Sequence, residues 1–490
     1  MKYQGNIKKI LLIQPPWYCL QGILSQNIHL GVCYIGAVLE QDGYNVKIIN
    51  GETSFVSHYQ NEKISIDLEH YFNRLRPDFD AFQCIFKYVD DFDPDVIGMS
   101  FLSPASGAAY ITSNGIKDKY PDKILIAGGV HATIIADDVI LNGKFDFAVR
   151  GEGEETIKEL IKVLSAGEDY QYLKGISYRH NGKVCHNQHR DMIKNLDDVP
   201  FPAYHLIHNF NNISVRDTIG GIITSRGCPF KCNYCATSSL WSRKVRFRSG
   251  ENIIEELQYH KKHYNLSRTR FQDDTFTLNH ENVRKICNKL RLLKIKWSCD
   301  TTINCLSKDL MGAMKMAGCY QINIGIESGN REIQKAIRKN LDFDLLEKIV
   351  KVAQKAGIIV LGYFLIGFPD ETEDMVNDTI NLMRKIKVDV PLWSILTIYP
   401  GTEMWTLAEQ KGILPGKIDW SKHFHHTSYI RLSDKISDKR YKEILLNLEK
   451  EIERDYFNLT KRVYRLYKSY SIKEILFLLY KKFKVHFPKH

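Results

Sequence analysis

No stretch of the sequence carries the roughly 18 uncharged apolar residues that a membrane helix needs. The longest late candidate, residues 475–480, is far too short. There is no internal repeat at solenoid periods and no low-complexity tract, which argues against an array or a disordered linker protein. The N-terminal MKYQGNIKKILLIQPP runs directly into a strand pattern without a small-residue cleavage site, so no signal peptide is expected. Eleven cysteines in such a chain point to the reducing cytoplasm, where clustered cysteines mean metal or redox chemistry more often than disulfides.

What is present is an ordinary globular composition: 490 residues, 44% hydrophobic, 26% charged, with a formal charge of +11. At roughly 100–200 residues per domain, two to four domains are expected. Residues 1–165 alternate short β-branched runs (9–13, 46–50, 95–101, 123–127, 145–150) with helical patterns. Strands that read as unbroken apolar runs, as in ILIAGG, are buried on both faces, which implies a parallel sheet. The expectation is a doubly wound, Rossmann-like α/β domain of about five strands. Residues 166–218 contain a hairpin-like GISYRHNGKV and the proline-broken LDDVPFPAYH, and read as a linker.

From residue 219 to 415 the alternation resumes in six units, with strands expected at 222–225, 269–273, 296–301, 321–326, 358–366 and 392–398. Six consecutive βα units suggest a partial (β/α)6 barrel with reactive groups at the carboxyl ends of its strands. Residues 416–490 are helical in pattern. Of these, 451–490 hold ten Lys and Arg against four Asp and Glu, and so carry +6 of the net charge.

The segment GGIITSRGCPFKCNYCATSS places Cys228, Cys232 and Cys235 in one loop after the first barrel strand. Chance would produce this spacing about 0.006 times in a chain with this cysteine content. Three thiolates from a short loop hold three corners of a 4Fe–4S cube and leave the fourth iron open for chemistry. Zinc, the alternative, would want a fourth ligand close by, and the next Cys or His downstream is His260.

C-x3-C-x-Φ-C, with Tyr234 before the last cysteine, resembles the signature of the radical S-adenosylmethionine (SAM) enzymes. The N-terminal part resembles the cobalamin-binding domain of one large subgroup, which includes class B methyltransferases. The chain is also similar to the anaerobic magnesium-protoporphyrin ester cyclases. The resemblance implies three cofactors: a 4Fe–4S cluster on Cys228, Cys232 and Cys235, SAM, and cobalamin. It implies SAM contacts at Tyr234, at Asp273 and Asp274 in FQDDTFTLN, and at Glu327 in INIGIESGN. On the residues alone, helix capping competes for the aspartates, and a satisfied strand-end acid for Glu327. GYFLIGFPDET resembles a segment that passes the adenine, although family members often have Gly where Asp370 stands. IYPGTEM matches a turn that closes the site.

For cobalamin, the strand-to-helix crossings supply Pro15, Gly31, Ser100, Gly128, Gly129, His131, Gly151, Glu152 and Gly153. Glycines there let the backbone approach a large ligand in the crevice beyond the strand ends. The D-x-H-x-x-G motif that delivers a histidine to cobalt in many cobalamin domains is absent. Base-off cobalamin without a histidine ligand is therefore expected, with His131 at the cofactor edge or in a purely structural role.

The activity implied is methyl transfer from methylcobalamin to an unactivated carbon, started by a 5′-deoxyadenosyl radical. The alternative keeps both cofactors but performs an oxidative cyclisation or rearrangement. A small-molecule substrate and an external electron donor such as flavodoxin or ferredoxin follow. Nucleic acid is not expected: Cys19, Cys33, Cys84 and Cys185 are too scattered to form the second cluster of the tRNA-methylthiolating relatives. The basic tail reads as a solvated face, with peripheral membrane contact as the lesser alternative.

Overall fold

The computed structural model describes residues 6–22, 28–54, 68–210, 221–241, 243–425, 429–456, 460–461 and 465. Most of the basic segment after residue 456, including 475–480, lies outside the described residues, as does 211–220 of the expected linker.

The first sheet contains β1 (Lys9–Gln14), β2 (Asn45–Asn50), β3 (Val96–Ser100), β4 (Ile124–Gly128), β5 (Phe147–Val149), β6 (Ile176–His180) and β7 (Lys183–His186). Its order is β2-β1-β3-β4-β5-β6-β7. The first five strands are parallel. Alternate residues of β1 feed two separate cores: Ile10 and Leu12 join one, Leu11 and Ile13 the other. That is the double-sided burial expected of a doubly wound sheet. The order reverses between β1 and β3, so the crevice beyond their carboxyl ends is the natural ligand position.

The hairpin expected in the linker is β6–β7. It does not stand alone: β6 pairs antiparallel with β5 and extends the sheet to seven strands. Phe147, Tyr178 and Tyr170 pack edge to face across that junction. The following segment, with Tyr204 and Ile207 buried, lies along β2 through a bridge from Ile48 to Ile207.

The second sheet contains β8 (Gly221–Ile222), β11 (Arg268–Phe271), β12 (Lys296–Thr301), β13 (Cys319–Glu327), β14 (Ile359–Ile366) and β15 (Val390–Ile395). Its order is β15-β14-β13-β12-β11-β8, parallel throughout. The six expected strands are all there, in an open half-barrel. The first expected strand, 222–225, is split: β8 ends at Ile222, and Ser225–Arg226 (β9) turns away to pair antiparallel with Arg246–Phe247 (β10). Trp297, Cys299, Ile322, Ile324 and Val360 point outward into the helices, in a core continuous with one face of the first sheet.

After the half-barrel, the chain returns to the first domain. Phe424 meets Trp17 edge to face, with centroids 5.4 Å apart, and Trp420 meets His131 at 5.8 Å. The helix Asp438–Tyr456 then lies on the outside of the half-barrel, held by Tyr441, Ile444 and Leu448 and by a bidentate Arg384–Glu451 pair. The region from 416 to the start of that helix is mostly irregular, in contrast to the helical pattern of its sequence.

Trp297 is fully enclosed, and its Nε1 donates to the Ala317 carbonyl at 2.8 Å. Trp297→Ala should lower stability by about 3–5 kcal/mol, read as a shifted denaturant midpoint.

Candidate functional site

The cysteine loop, residues 227–236, leaves β9 at the mouth of the half-barrel and leads into the short helix Thr237–Trp241. Gly227 has φ +104°, and a Cβ there would lie 2.3 Å from the Lys244 carbonyl oxygen, so only glycine fits. Asp273 fixes the loop's approach. Its Oδ1 accepts from Thr224 N (3.0 Å), Thr224 Oγ1 (2.9 Å) and Ser225 Oγ (2.6 Å). Asp273 is thus not a helix cap; it is buried and ties β11 to the segment before the cysteines. Its Oδ2 has no partner among the described residues, and burial pushes its carboxyl up to about 6.

The far side of the loop is tied as well. Asn233 Nδ2 donates to the Ala336 carbonyl at 2.8 Å, and Met404 N donates to the Asn233 carbonyl at 3.3 Å. Ser239 Oγ donates to the carbonyl of Gly401, in IYPGTEM, at 2.8 Å. The IYPGTEM turn therefore does close onto the loop, and Thr402 caps the helix Glu403–Gln410 behind it. Cys228, Cys232 and Cys235 are half-buried, and none is in a disulfide. Burial raises the Cys228 and Cys232 thiols, with Lys339 opposing the rise at Cys232. Loading metal onto them therefore releases protons. Among the described residues no three His, Cys, Asp or Glu converge on a single ion. The fit to a cluster lies in the donor set: three thiols on one short loop whose backbone is pinned at both ends.

Asp274 sits beside Asp273 but is exposed at the mouth, accepting from Thr237 Oγ1 at 3.2 Å. Its carboxyl is raised, first by partial desolvation and then by the charge of Asp300. Tyr234 packs against the apolar cluster that includes Phe368, Leu396 and Met404, and burial plus the Glu327 carboxylate push its phenol well up. Glu327 ends β13 with φ +67°, a costly backbone for a non-glycine residue. Its Oε1 is taken by Lys339 Nζ at 2.8 Å. A Cβ on Gly325 would lie 2.4 Å from that oxygen and 2.5 Å from Nζ, so this glycine makes room for the ion pair. Burial works against the Lys339 charge, but Glu327 outweighs it and raises its pKa.

On the concave face of the half-barrel, opposite the helices, a polar row crosses neighbouring strands. Arg270 Nη2 donates to Asp300 Oδ2 at 2.6 Å, Asn323 Nδ2 to Asp300 Oδ1 at 2.8 Å, and Gln321 Nε2 to Asn323 Oδ1 at 2.8 Å. Tyr363 on β14 adjoins Arg270 and Asp300. Arg270 remains partly open to solvent. Neither Arg270 nor Lys339 stands out in the sequence, where each is one basic residue among 68.

In the first domain, Pro15 and Ser100 lie at the ends of β1 and β3, beside the point where strand order reverses. Gly129 has φ +90°, and a Cβ there would press on Ser100 Oγ at 2.8 Å. Gly31 and Gly151 would place a Cβ in open space, and at Gly128 the nearest atom is 4.0 Å away. At Gly153, Ile35 comes within 3.1 Å. Trp17 Nε1, Gln21 Oε1 and Thr53 Oγ1 are buried at the same edge with no partner among the described residues. An open backbone rim with unpartnered polar atoms fits a large, amide-rich ligand.

Two of the expected cobalamin contacts are differently employed. His131 is fully enclosed: Nδ1 meets Ser103 Oγ at 2.9 Å, and Nε2 meets Tyr110 OH at 3.1 Å and Asp138 Oδ2 at 3.3 Å. With both ring nitrogens occupied, its role is structural. Glu152 is buried and engaged by Arg226, Arg246 and the Ile193 N–H.

In GYFLIGFPDET, Asp370 has φ +58°, so it adopts the left-handed turn for which glycine is suited. Next to it, Glu371 Oε2 accepts from Gly367 N (2.5 Å) and Phe368 N (3.3 Å), while Oε1 has no partner among the described residues.

The chain matches the Radical SAM superfamily model over residues 222–383 and the B12 binding domain model over 23–161. It is 32% identical over 423 residues to an uncharacterized methyltransferase of Pyrococcus horikoshii, covering 85% of this chain and 86% of that one. It is 27% identical over 399 residues to the cytidylyl-2-hydroxyethylphosphonate methyltransferase of Streptomyces wedmorensis, covering 74% and 73%. The solved structure of the cobalamin-dependent SAM radical enzyme OxsB, with aqua-cobalamin and SAM bound, shares the fold at a TM-score of 0.69 and 19% identity, covering 98% of this chain and 71% of that one.

Burial raises Glu371 to about 7. The folded protein therefore holds this proton more tightly than the unfolded chain does. The resulting stabilisation is full below about pH 4.5 and is lost as pH rises through about 7, falling by roughly 1.4 kcal/mol per pH unit across that window. Glu371→Gln should flatten the fall in thermal midpoint between about pH 5 and 8. An unchanged slope would contradict this assignment.

Proposed function

This chain belongs to the cobalamin-dependent radical SAM enzymes, and from that premise we propose that it transfers a methyl group to an unactivated carbon of a small molecule. Its cofactors are a 4Fe–4S cluster, SAM and cobalamin. When bound, the cluster supplies the electron that cleaves SAM to a 5′-deoxyadenosyl radical, and cobalamin carries the methyl group.

The observation that carries this reading is the placement of the three-cysteine loop: it sits at the mouth of a parallel half-barrel, pinned from β11 and from the IYPGTEM turn. Cys228, Cys232 and Cys235 are the cluster ligands in this reading. Asp274, open at the mouth, accepts a hydrogen bond from the SAM ammonium or ribose. Tyr234 and the Glu327–Lys339 pair form the wall beside the cluster. Asp273 holds the loop through Oδ1. The rim formed by Pro15, Gly31, Ser100, Gly128, Gly129, Gly151 and Gly153 receives the corrin. The substrate lies on the concave face, where Arg270 and Asp300 offer charged groups to orient it and exclude water from the radical's path.

The electron comes from a low-potential carrier protein such as flavodoxin or ferredoxin. Eleven cysteines, none in a disulfide, favour a reducing compartment, the cytoplasm. No helix among the described residues is long and apolar enough to cross a membrane.

In turnover, S-adenosylhomocysteine and 5′-deoxyadenosine should form in equal amounts, counted by mass spectrometry. Product formed without S-adenosylhomocysteine would contradict methyl transfer. Asp274→Asn should weaken SAM binding about 10- to 100-fold, as expected for a lost charge-assisted hydrogen bond.

A further inference from the structure

Four charged side chains meet between the two domains. Arg226, two residues before Cys228, places Nη1 2.6 Å from Glu152 Oε1 and Nη2 2.6 Å from Glu154 Oε1. Arg246, its register partner on the β9–β10 ribbon, donates from Nη1 to Glu152 Oε1 at 3.0 Å and Oε2 at 2.8 Å, and to the Ile193 carbonyl at 2.6 Å. Tyr34, from the helix Leu30–Gln41, lies against the Arg226 guanidinium at 5.9 Å. The side chains are 9% (Arg226), 13% (Arg246), 4% (Glu152) and 8% (Glu154) exposed.

Both arginines belong to the ribbon from which the cysteine loop springs. Both carboxylates open the helix Gly153–Ala166, directly after Gly151 on the cobalamin rim. Apolar packing would join two domains as firmly as a buried ion network does, and often more so. What the network adds is direction: the forked Arg226 guanidinium spans two carboxylates, one from each nitrogen, while Arg246 reaches Glu152 and the Ile193 carbonyl through Nη1 alone, its Nε and Nη2 buried without a partner among the described residues. Gly227, whose φ of +104° leaves no room for a side chain beside the Lys244 carbonyl, is the single residue between Arg226 and Cys228.

We propose that Arg226, Arg246, Glu152 and Glu154 form a positioning clamp that sets the spacing and orientation of the cluster loop against the cobalamin rim. The inference rests on the cofactor assignment above. It follows from a geometric demand: groups held on separate domains must address the same substrate atom, and a misplacement of about 1 Å costs roughly 100-fold in rate. The clamp residues touch neither cofactor in this account.

The test uses the full-length holoprotein with cluster and cobalamin loaded. Electron paramagnetic resonance reads the spin–spin interaction between the reduced cluster and cobalt(II) in the wild type, Arg226→Gln and Glu154→Gln. A parallel assay follows transfer of a deuterated methyl group from SAM to cobalamin. Exposed Lys351→Gln, which removes a surface pair with Glu347, is the control. We expect both clamp variants to hold wild-type iron and cobalt, with a broadened or weakened interaction and methyl transfer at least about 10-fold slower. Glu154→Gln keeps the shape of the side chain and decides the matter alone if Arg226→Gln does not load its cluster. An interaction and a transfer rate unchanged in Glu154→Gln would overturn the clamp. A wild type that binds neither cofactor would instead overturn the family-level assignment of the site.

Discussion

Four charges taken out of water where the doubly wound sheet meets the half-barrel set a direction that apolar packing does not. Arg226 and Arg246 are stable there only while Glu152 and Glu154 are in place, because a buried ion stripped of its partner costs about 3–5 kcal/mol. Hydrophobic surfaces tolerate sliding; this network does not. The doubly wound sheet and the half-barrel are therefore held in one register. The two segments nearest the network are the cysteine loop and the glycine-rich rim.

The same use of buried charge recurs within each domain. Several carboxylates at strand ends hold neighbouring loops. Asp273 gathers three donors from the segment before the cysteines, Glu371 holds the turn after β14, and Glu52 accepts from the N–H groups of Trp17, Tyr18 and Cys19 after β1. Each fixes a loop that would otherwise be free at the carboxyl end of a sheet, where ligands bind. Burial raises Glu52 and Glu371 to about 7 and Asp273 to about 6. Preorganising these loops thus requires desolvated acids. Glu327 and Asp370, at the end of β13 and after β14, also carry left-handed backbone.

Much of this is legible in the sequence, for identifiable reasons. Parallel strands buried on both faces leave unbroken apolar runs, so five strands of the first sheet and six of the second can be placed to within a few residues. The cysteine spacing is local and rare. What escapes reading depends on partners far along the chain. Arg226 and Glu154 are 72 residues apart, and nothing near either marks it as buried. Asp273 and Asp274 look equivalent as neighbours, yet one turns inward to Thr224 and the other faces solvent. His131 resembles a ligand-edge residue until Ser103, Tyr110 and Asp138 close around it. The β6–β7 hairpin carries the right local pattern, but only the fold reveals that it completes the first sheet.

One chain is proposed to bring a SAM-cleaving cluster and a methyl-carrying cobalamin together. The most direct test is anaerobic reconstitution with iron, sulfide and cobalamin, followed by addition of methyl-deuterated SAM and reductant. Mass spectra should show 5′-deoxyadenosine together with the deuterated methyl group on the extracted cobalamin. Deoxyadenosine with unlabelled cobalamin would contradict methyl transfer and point instead to a cyclising or rearranging enzyme.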